Sequence, residues 1–267
     1  FMLQSPDAMG QIQVPGESMA YCLDYLGLPL GKMATITANM PGIDLAPQII
    51  RSKFSADLAA HVRTVPSHHL AHAYSAFWPS GFQEALVLVV DASGSTSAGP
   101  GGRRTESYTL YEGRGTELHK LHAETVQSHQ AALSTIGFVY EAVSRRAGFV
   151  TNLNSGLSFP EAGKLMGLAA YGGPQSNWER WLSKEKGSLK IKMFAYDIFL
   201  EMAALEKRYD DGQGKPYFRP WLVDLAYKIQ AELEEVLCHL IGDACRQTGL
   251  KHVCIAGGVG LNSVANY

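Results

Sequence analysis

The segment Ala85-Leu86-Val87-Leu88-Val89-Val90-Asp91 constrains this chain more than any other. A continuous run of apolar, largely β-branched residues has no polar face to offer solvent. It reads as a strand covered on both sides, which is typical of sheets flanked by helices. The run ends on an aspartate followed by Ala92-Ser93-Gly94-Ser95, so the strand feeds a tight turn carrying a carboxylate. A second segment of this kind, His252 to Ala256 followed by Gly257-Gly258-Val259, closes the chain. Between them, Pro220 opens a long helix. Leu222, Leu225, Ala226, Ile229, Leu233, Val236, Leu237, Leu240, Ile241 and Ala244 keep i, i+3, i+4 spacing, and Gly249 ends it. Strands alternating with long helices make the fold class α/β.

Shorter helices are expected over 17–27, over Gln48 to Arg63, through the small-residue segment 67–77, over 131–148 and over 160–172. Tyr108 to Gly113 reads as the partner strand of a hairpin. Residues 95–107, rich in Gly, Ser, Thr and Arg, read as a loop, as does the weakly patterned stretch 173–219.

Composition excludes several classes. Of 267 residues, 46% are hydrophobic and 18% charged, a globular balance. The formal charge of -2 gives no bulk attraction to nucleic acid or to an anionic membrane. No apolar run reaches the ~18 residues of a membrane-crossing helix. The four cysteines, Cys22, Cys238, Cys245 and Cys254, form no CxxC pair and read as buried free thiols in a reducing, cytoplasmic setting.

Three sets of residues could carry chemistry. His68 and His72 stand four apart on a helix, so both imidazoles can meet one metal ion, and Asp91 ends a buried strand where a carboxylate needs a partner. Two imidazoles and a carboxylate suit Fe²⁺, Mn²⁺ or Zn²⁺ with exchangeable positions. The bland alternative is a pair of hydrogen-bonded core histidines. His69 points off that face. The turns containing Ser93 and Gly94, and Gly257 and Gly258, could aim backbone N–H groups at an anion, although neither matches the P-loop or the dinucleotide fingerprint. Two such turns separated by a long insert fit a duplicated actin- or sugar-kinase-like ATPase plan. Glu161 and Lys164 are either an exposed i, i+3 ion pair or a carboxylate for ribose and a cation for phosphate.

Four segments in order, SHHLAHAYSAFWPSGFQEALVLVVDASG (67–94), STIGFVYEAVSRRAGF (134–149), EAGKLMGLAAYG (161–172) and CIAGGVGLNSVAN (254–266), resemble the O-carbamoyltransferases of antibiotic and nodulation-factor biosynthesis. The resemblance implies an actin-like domain in two half-domains, about 1–125 and 126–267, incomplete at both ends, with a carbamoyl-adenylate-forming domain beyond Tyr267. It implies ATP and carbamoyl phosphate as sources of carbamoyl-adenylate, and a small-molecule hydroxyl as acceptor. It assigns His68, His72 and Asp91 to a metal usually taken as Fe²⁺. Gly257, Gly258 and Asn262 fall at the adenylate, beside Ser93, Gly94, Glu161 and Lys164. His69 is the fallback for the general base. Nucleic acid and membrane are not expected partners. The alternatives are a tRNA threonylcarbamoyl transferase, which the charge balance disfavours, and a non-catalytic nucleotide-binding module on the same fold.

Overall fold

The computed structural model describes residues 16–29, 32–38, 62–99, 101–128, 135–152, 158–185, 191–193, 195–213 and 215–267. The elements, in chain order, are helix α1 (Gly16–Leu26), strands β1 (Ile36–Ala38) and β2 (Val62–Thr64), helix α2 (His68–Ser80), and strands β3 (Glu84–Val90), β4 (Thr96–Gly99), β5 (Gly102–Arg114) and β6 (Glu117–Gln127). Helix α3 (Ile136–Arg146), strands β7 (Val150–Asn152) and β8 (Ser158–Pro160) and helix α4 (Ala162–Ala169) follow. The chain continues through strands β9 (Leu182–Lys184) and β10 (Ile191–Met193), helices α5 (Ala195–Tyr209) and α6 (Pro220–Thr248), and strand β11 (Val253–Ala256). The fold is mixed α/β.

Two compact units divide the chain, one of residues 1–68 and 151–159, the other of 69–150 and 160–267. In the first, β1 and β2 pair in parallel. The described end of the expected helix from Gln48 to Arg63 is therefore a strand, and the remainder lies outside the described residues. Helix α1 forms where expected, yet Cys22 and Leu26 on its apolar face are exposed.

The second unit is built on a five-stranded sheet in the order β11-β3-β5-β4, with β6 on the other edge of β5. β11 runs parallel to β3, and the other pairs are antiparallel. Ala85 to Val90 are fully buried because β3 is covered on both faces. Leu86, Leu88 and Val90 join a core with α3, α4, α5 and α6, whereas Ala85, Val87 and Val89 join Ala73 and Phe77 of α2. This two-sided burial follows from the period-2 alternation of a strand. Gly113 makes room for the Phe77 ring, which a Cβ there would meet at 2.7 Å. α6 spans 29 residues and ends as expected at Gly249, at φ 76°.

Several expectations are corrected. Residues 95–107 are not a loop. β4 and the first half of β5 form a hairpin there, turning at Gly101 and Gly102 with φ of 78° and 122°. Cross-strand pairing overrides a composition that suggests a loop. The stretch 173–219 contains the 15-residue helix α5, which buries Ile198, Met202 and Leu205 at helical spacing. Glu232 of α6 secures the segment before it, accepting the N–H groups of Trp181 at 2.9 Å and Leu182 at 2.8 Å, and the Lys228 ammonium at 2.7 Å. The four cysteines are free as expected, but only Cys254 is buried.

The junction of β11 with β3 depends on Gly257. It adopts φ 90°, and a Cβ would lie 2.2 Å from the Val90 carbonyl oxygen. Gly257→Ala is expected to cost about 2–4 kcal/mol by combined backbone strain and overpacking. Gly148→Ala, at φ 74° with open space around it, should cost only about 1 kcal/mol. Urea denaturation monitored by circular dichroism measures both.

Candidate metal centre and adjoining cleft

β3 and β4 lie along the same edge of β5, with a break between them. Gly94 N–H donates to Glu106 O at 2.9 Å, and Glu106 N–H to Ser95 O at 3.1 Å. Asp91 stands at the start of this break, where the strand leaves regular pairing, so its side chain is free to turn toward neighbouring elements. One carboxylate oxygen accepts the Ala92 N–H at 2.7 Å and the Gly258 N–H at 3.3 Å. The other lies 3.4 Å from Nε2 of His72. Asp91 thus joins the turn after β3, the turn after β11 and the first turns of α2.

His68 opens α2 and His72 follows one turn later. One ligand atom from each of His68, His72 and Asp91 lies within 4.8 Å of the other two. Two donors about 2.1 Å from one ion at the tetrahedral angle stand ~3.4 Å apart, which matches the His72–Asp91 separation. All three side chains are partly accessible. The residues present therefore fit a divalent ion with N and O ligands.

His69 faces away from this group. It is completely buried, its Nδ1 is 2.8 Å from Oγ1 of Thr109, and a Cβ on Gly94 would touch its Nε2.

A cleft of about 300 Å³ opens beside Asp91 within the second unit. α3 reaches it through a close contact. The Thr135 hydroxyl donates to Ala92 O at 2.6 Å, and a Cβ on Gly137 would lie 2.6 Å from Ala92 Cα. This contact brings Tyr140 and Glu141, one turn further, to the cleft wall. α4 adds Ala162, Gly163 and Met166, and the segment after β11 adds Gly258 and Asn262.

Of the residues assigned to a nucleotide by sequence, the cleft gathers Gly258 and Asn262. Asn262 is 9% exposed and its amide is engaged. It donates to Gln230 Oε1 at 2.8 Å, and its carbonyl accepts from Gln230 Nε2 at 3.1 Å and from Ala265 N–H at 3.0 Å. The Tyr140 hydroxyl donates to the same Gln230 oxygen at 2.8 Å, and burial pushes the phenol's pKa upward. Gly257 is buried behind the cleft against Val90. Ser93 and Gly94 do not line the cleft. The Gly94 N–H is spent on β5, and the Ser95 N–H donates to the Glu106 carboxylate at 2.9 Å. Glu161 and Lys164 form an ion pair at 2.6 Å, with the lysine exposed; neither lines the cleft.

Glu141 carries no sequence signal that separates it from any helical surface glutamate. It is half-buried. Burial pushes its carboxyl pKa up, Arg145 opposes this, and the charge of Asp91 adds to it.

With this geometry in place, comparison with known proteins identifies the class. The family model described as Carbamoyltransferase N-terminus matches residues 33–267, and the chain belongs to that family. The uncharacterized protein sll1178 of Synechocystis sp. is 32% identical over 74% of this chain and 30% of its own length. Nodulation protein NolNO of Sinorhizobium fredii is 27% identical over 95% of this chain and 37% of its own. The chain thus spans about a third of the length of these relatives. Among solved structures, component A of the Acidaminococcus fermentans (R)-2-hydroxyglutaryl-CoA dehydratase aligns with TM-score 0.46 and 15% identity, covering 94% of this chain and 71% of that one.

His72→Ala is expected to abolish stoichiometric binding of a transition metal, read by elemental analysis after loading with Fe²⁺, Mn²⁺ or Zn²⁺. The far-ultraviolet circular dichroism should stay unchanged, because a side chain 32% exposed leaves no core cavity.

Proposed function

We propose that this chain is the carbamoyl-transfer part of an O-carbamoyltransferase. It passes a carbamoyl group from carbamoyl-adenylate, made from ATP and carbamoyl phosphate, to a hydroxyl of a small-molecule natural product. The observation carrying this reading is that Asp91 belongs both to the His68–His72–Asp91 group and to the wall of the adjoining cleft. The membership of the family supports the carbamoyl chemistry.

In the reaction, a bond forms between the acceptor oxygen and the carbamoyl carbon. The bond from that carbon to the phosphate oxygen breaks, AMP leaves, and the hydroxyl proton is lost. His68, His72 and Asp91 would hold a divalent ion, with Fe²⁺ the expected metal, and a bound ion supplies Lewis-acid stabilisation of developing negative charge. Asp91 is kept in position by the Gly258 and Ala92 N–H groups. Met166, Leu233 and Val259 give the cleft apolar walls that limit water and so protect a mixed anhydride from hydrolysis. Gln230 holds Tyr140 and Asn262 together across the cleft wall, fixing its shape. His69 has no part in this reading, since it is buried against Thr109.

The test uses the full-length protein with synthetic carbamoyl-adenylate and a panel of hydroxylated small molecules. Mass spectrometry should detect one added carbamoyl group on an acceptor, with transfer falling at least ~100-fold in His72→Ala. Normal transfer by His72→Ala would refute the role of the metal group.

A further inference from the structure

A second cavity, of about 570 Å³, lies in the second unit and shares no lining residue with the cleft beside Asp91. It forms where the segment before β9 meets the last turns of α5. Trp178 and Tyr209 supply its aromatic wall, with ring centroids 6.3 Å apart and planes tilted by 42°. Behind them Trp181 is buried, and its indole N–H donates to the Glu201 carboxylate. The Lys228 ammonium lies 4.3 Å over the Trp181 ring. The carboxylate is thus held in place by a side chain that is itself fixed in the core.

Glu201 is half-buried, and its second oxygen has no partner among the described residues. Burial pushes its carboxyl pKa up; the Trp181 N–H and Lys228 oppose this, and the charges of Glu179 and Glu232 add to it. The neighbouring cations are engaged elsewhere. Lys228 bonds Glu232 at 2.7 Å, Arg180 pairs with Glu235 at 2.6 Å, and Arg208 stands over the Tyr209 ring at 5.2 Å. Both arginines are exposed at the rim. A desolvated carboxylate beside aromatic faces favours a cation, because the ring quadrupole turns negative charge outward.

The chemistry of the wall narrows the kind of cation. Hard metal ions require about six oxygen ligands, and here a single half-buried carboxylate stands among hydrocarbon and indole. An anion meets Glu201 and Glu179. A neutral alcohol can donate to Glu201 but leaves its charge without a counter-charge. We propose that this cavity binds an organic primary ammonium ion, its N–H groups on the free oxygen of Glu201 and its hydrocarbon body against Trp178 and Tyr209. The volume lies within the roughly 300–1,000 Å³ usual for small-ligand pockets. This site is separate from the cleft, and its assignment does not depend on the carbamoyl-transfer reading.

The experiment titrates cyclohexylammonium and its neutral counterpart cyclohexanol into the full-length protein at neutral pH, read by calorimetry and tryptophan fluorescence. Cyclohexylammonium should bind one per chain, change the fluorescence, and bind at least ~10-fold more tightly than cyclohexanol, as a charge-assisted hydrogen bond provides. Glu201→Gln keeps an acceptor for the Trp181 N–H and removes the charge. It should weaken cyclohexylammonium about 10-fold, leave cyclohexanol unchanged and retain the far-ultraviolet circular dichroism. Tyr209→Leu, at a position 39% exposed, removes an aromatic wall without opening the core and should weaken both ligands. Non-saturable binding, equal affinity for the alcohol, wild-type affinity in Glu201→Gln or wild-type affinity in Tyr209→Leu would each overturn the proposal. None of these results bears on carbamoyl transfer, which is read separately.

Discussion

The site depends on the approach of two turns that lie far apart in sequence. The Gly257-Gly258 turn comes against Val90 and Asp91 so closely that neither glycine has space for a side chain: a Cβ at Gly257 would strike Val90 O, and one at Gly258 would lie 2.9 Å from Asp91 Oδ1. Parallel pairing of β11 with β3 brings the turns to the same end of the sheet. The absence of two methyl groups then lets the Gly258 N–H reach the Asp91 carboxylate. A carboxylate at a strand end is desolvated at a cost, and two backbone donors compensate it while fixing its orientation toward His72. Alanine at either position would separate these features before it affected any ligand.

A second close contact determines what faces the cleft. Gly137 lets α3 rest on Ala92, and the Thr135 hydroxyl both caps α3 through Phe138 N–H and donates to the Ala92 carbonyl. The helix is therefore held at its first turn by the residue next to Asp91. Everything one turn further along, Tyr140 and Glu141 included, is set relative to Asp91 by a rigid rod. Placing functional groups on a helix anchored at its N-terminus gives more accurate positioning than a loop would.

Much of this was legible in the sequence because it is local. The spacing of His68 and His72 on α2, the apolar run ending at Asp91 and the heptad-like stripe of α6 are periodic signals, and the structure forms the expected elements at each. What misled was composition. Glycine, serine, threonine and arginine over 95–107 suggested a loop, but β5 offered a pairing edge and the segment became a hairpin. Helix α5 gives a weak signal although Ile198, Met202 and Leu205 keep helical spacing, because polar residues around them obscure a short apolar stripe. Gly94 shows the converse. The residue type was right for an anion-binding turn, yet its N–H is consumed by Glu106.

The sequence alone determined α2, β3, α6 and β11, the residue types able to ligate a metal and the resemblance to a family, since periodicity and short motifs act over a few residues. The tertiary structure alone decided that both glycine turns share one sheet, that Asp91 serves two of them and the histidines together, that His69 is sealed in the core, and that Glu141 enters the cleft. Each of these depends on contacts between segments distant in the chain, where the closeness of approach is set by packing and by the missing side chains of Gly137, Gly257 and Gly258.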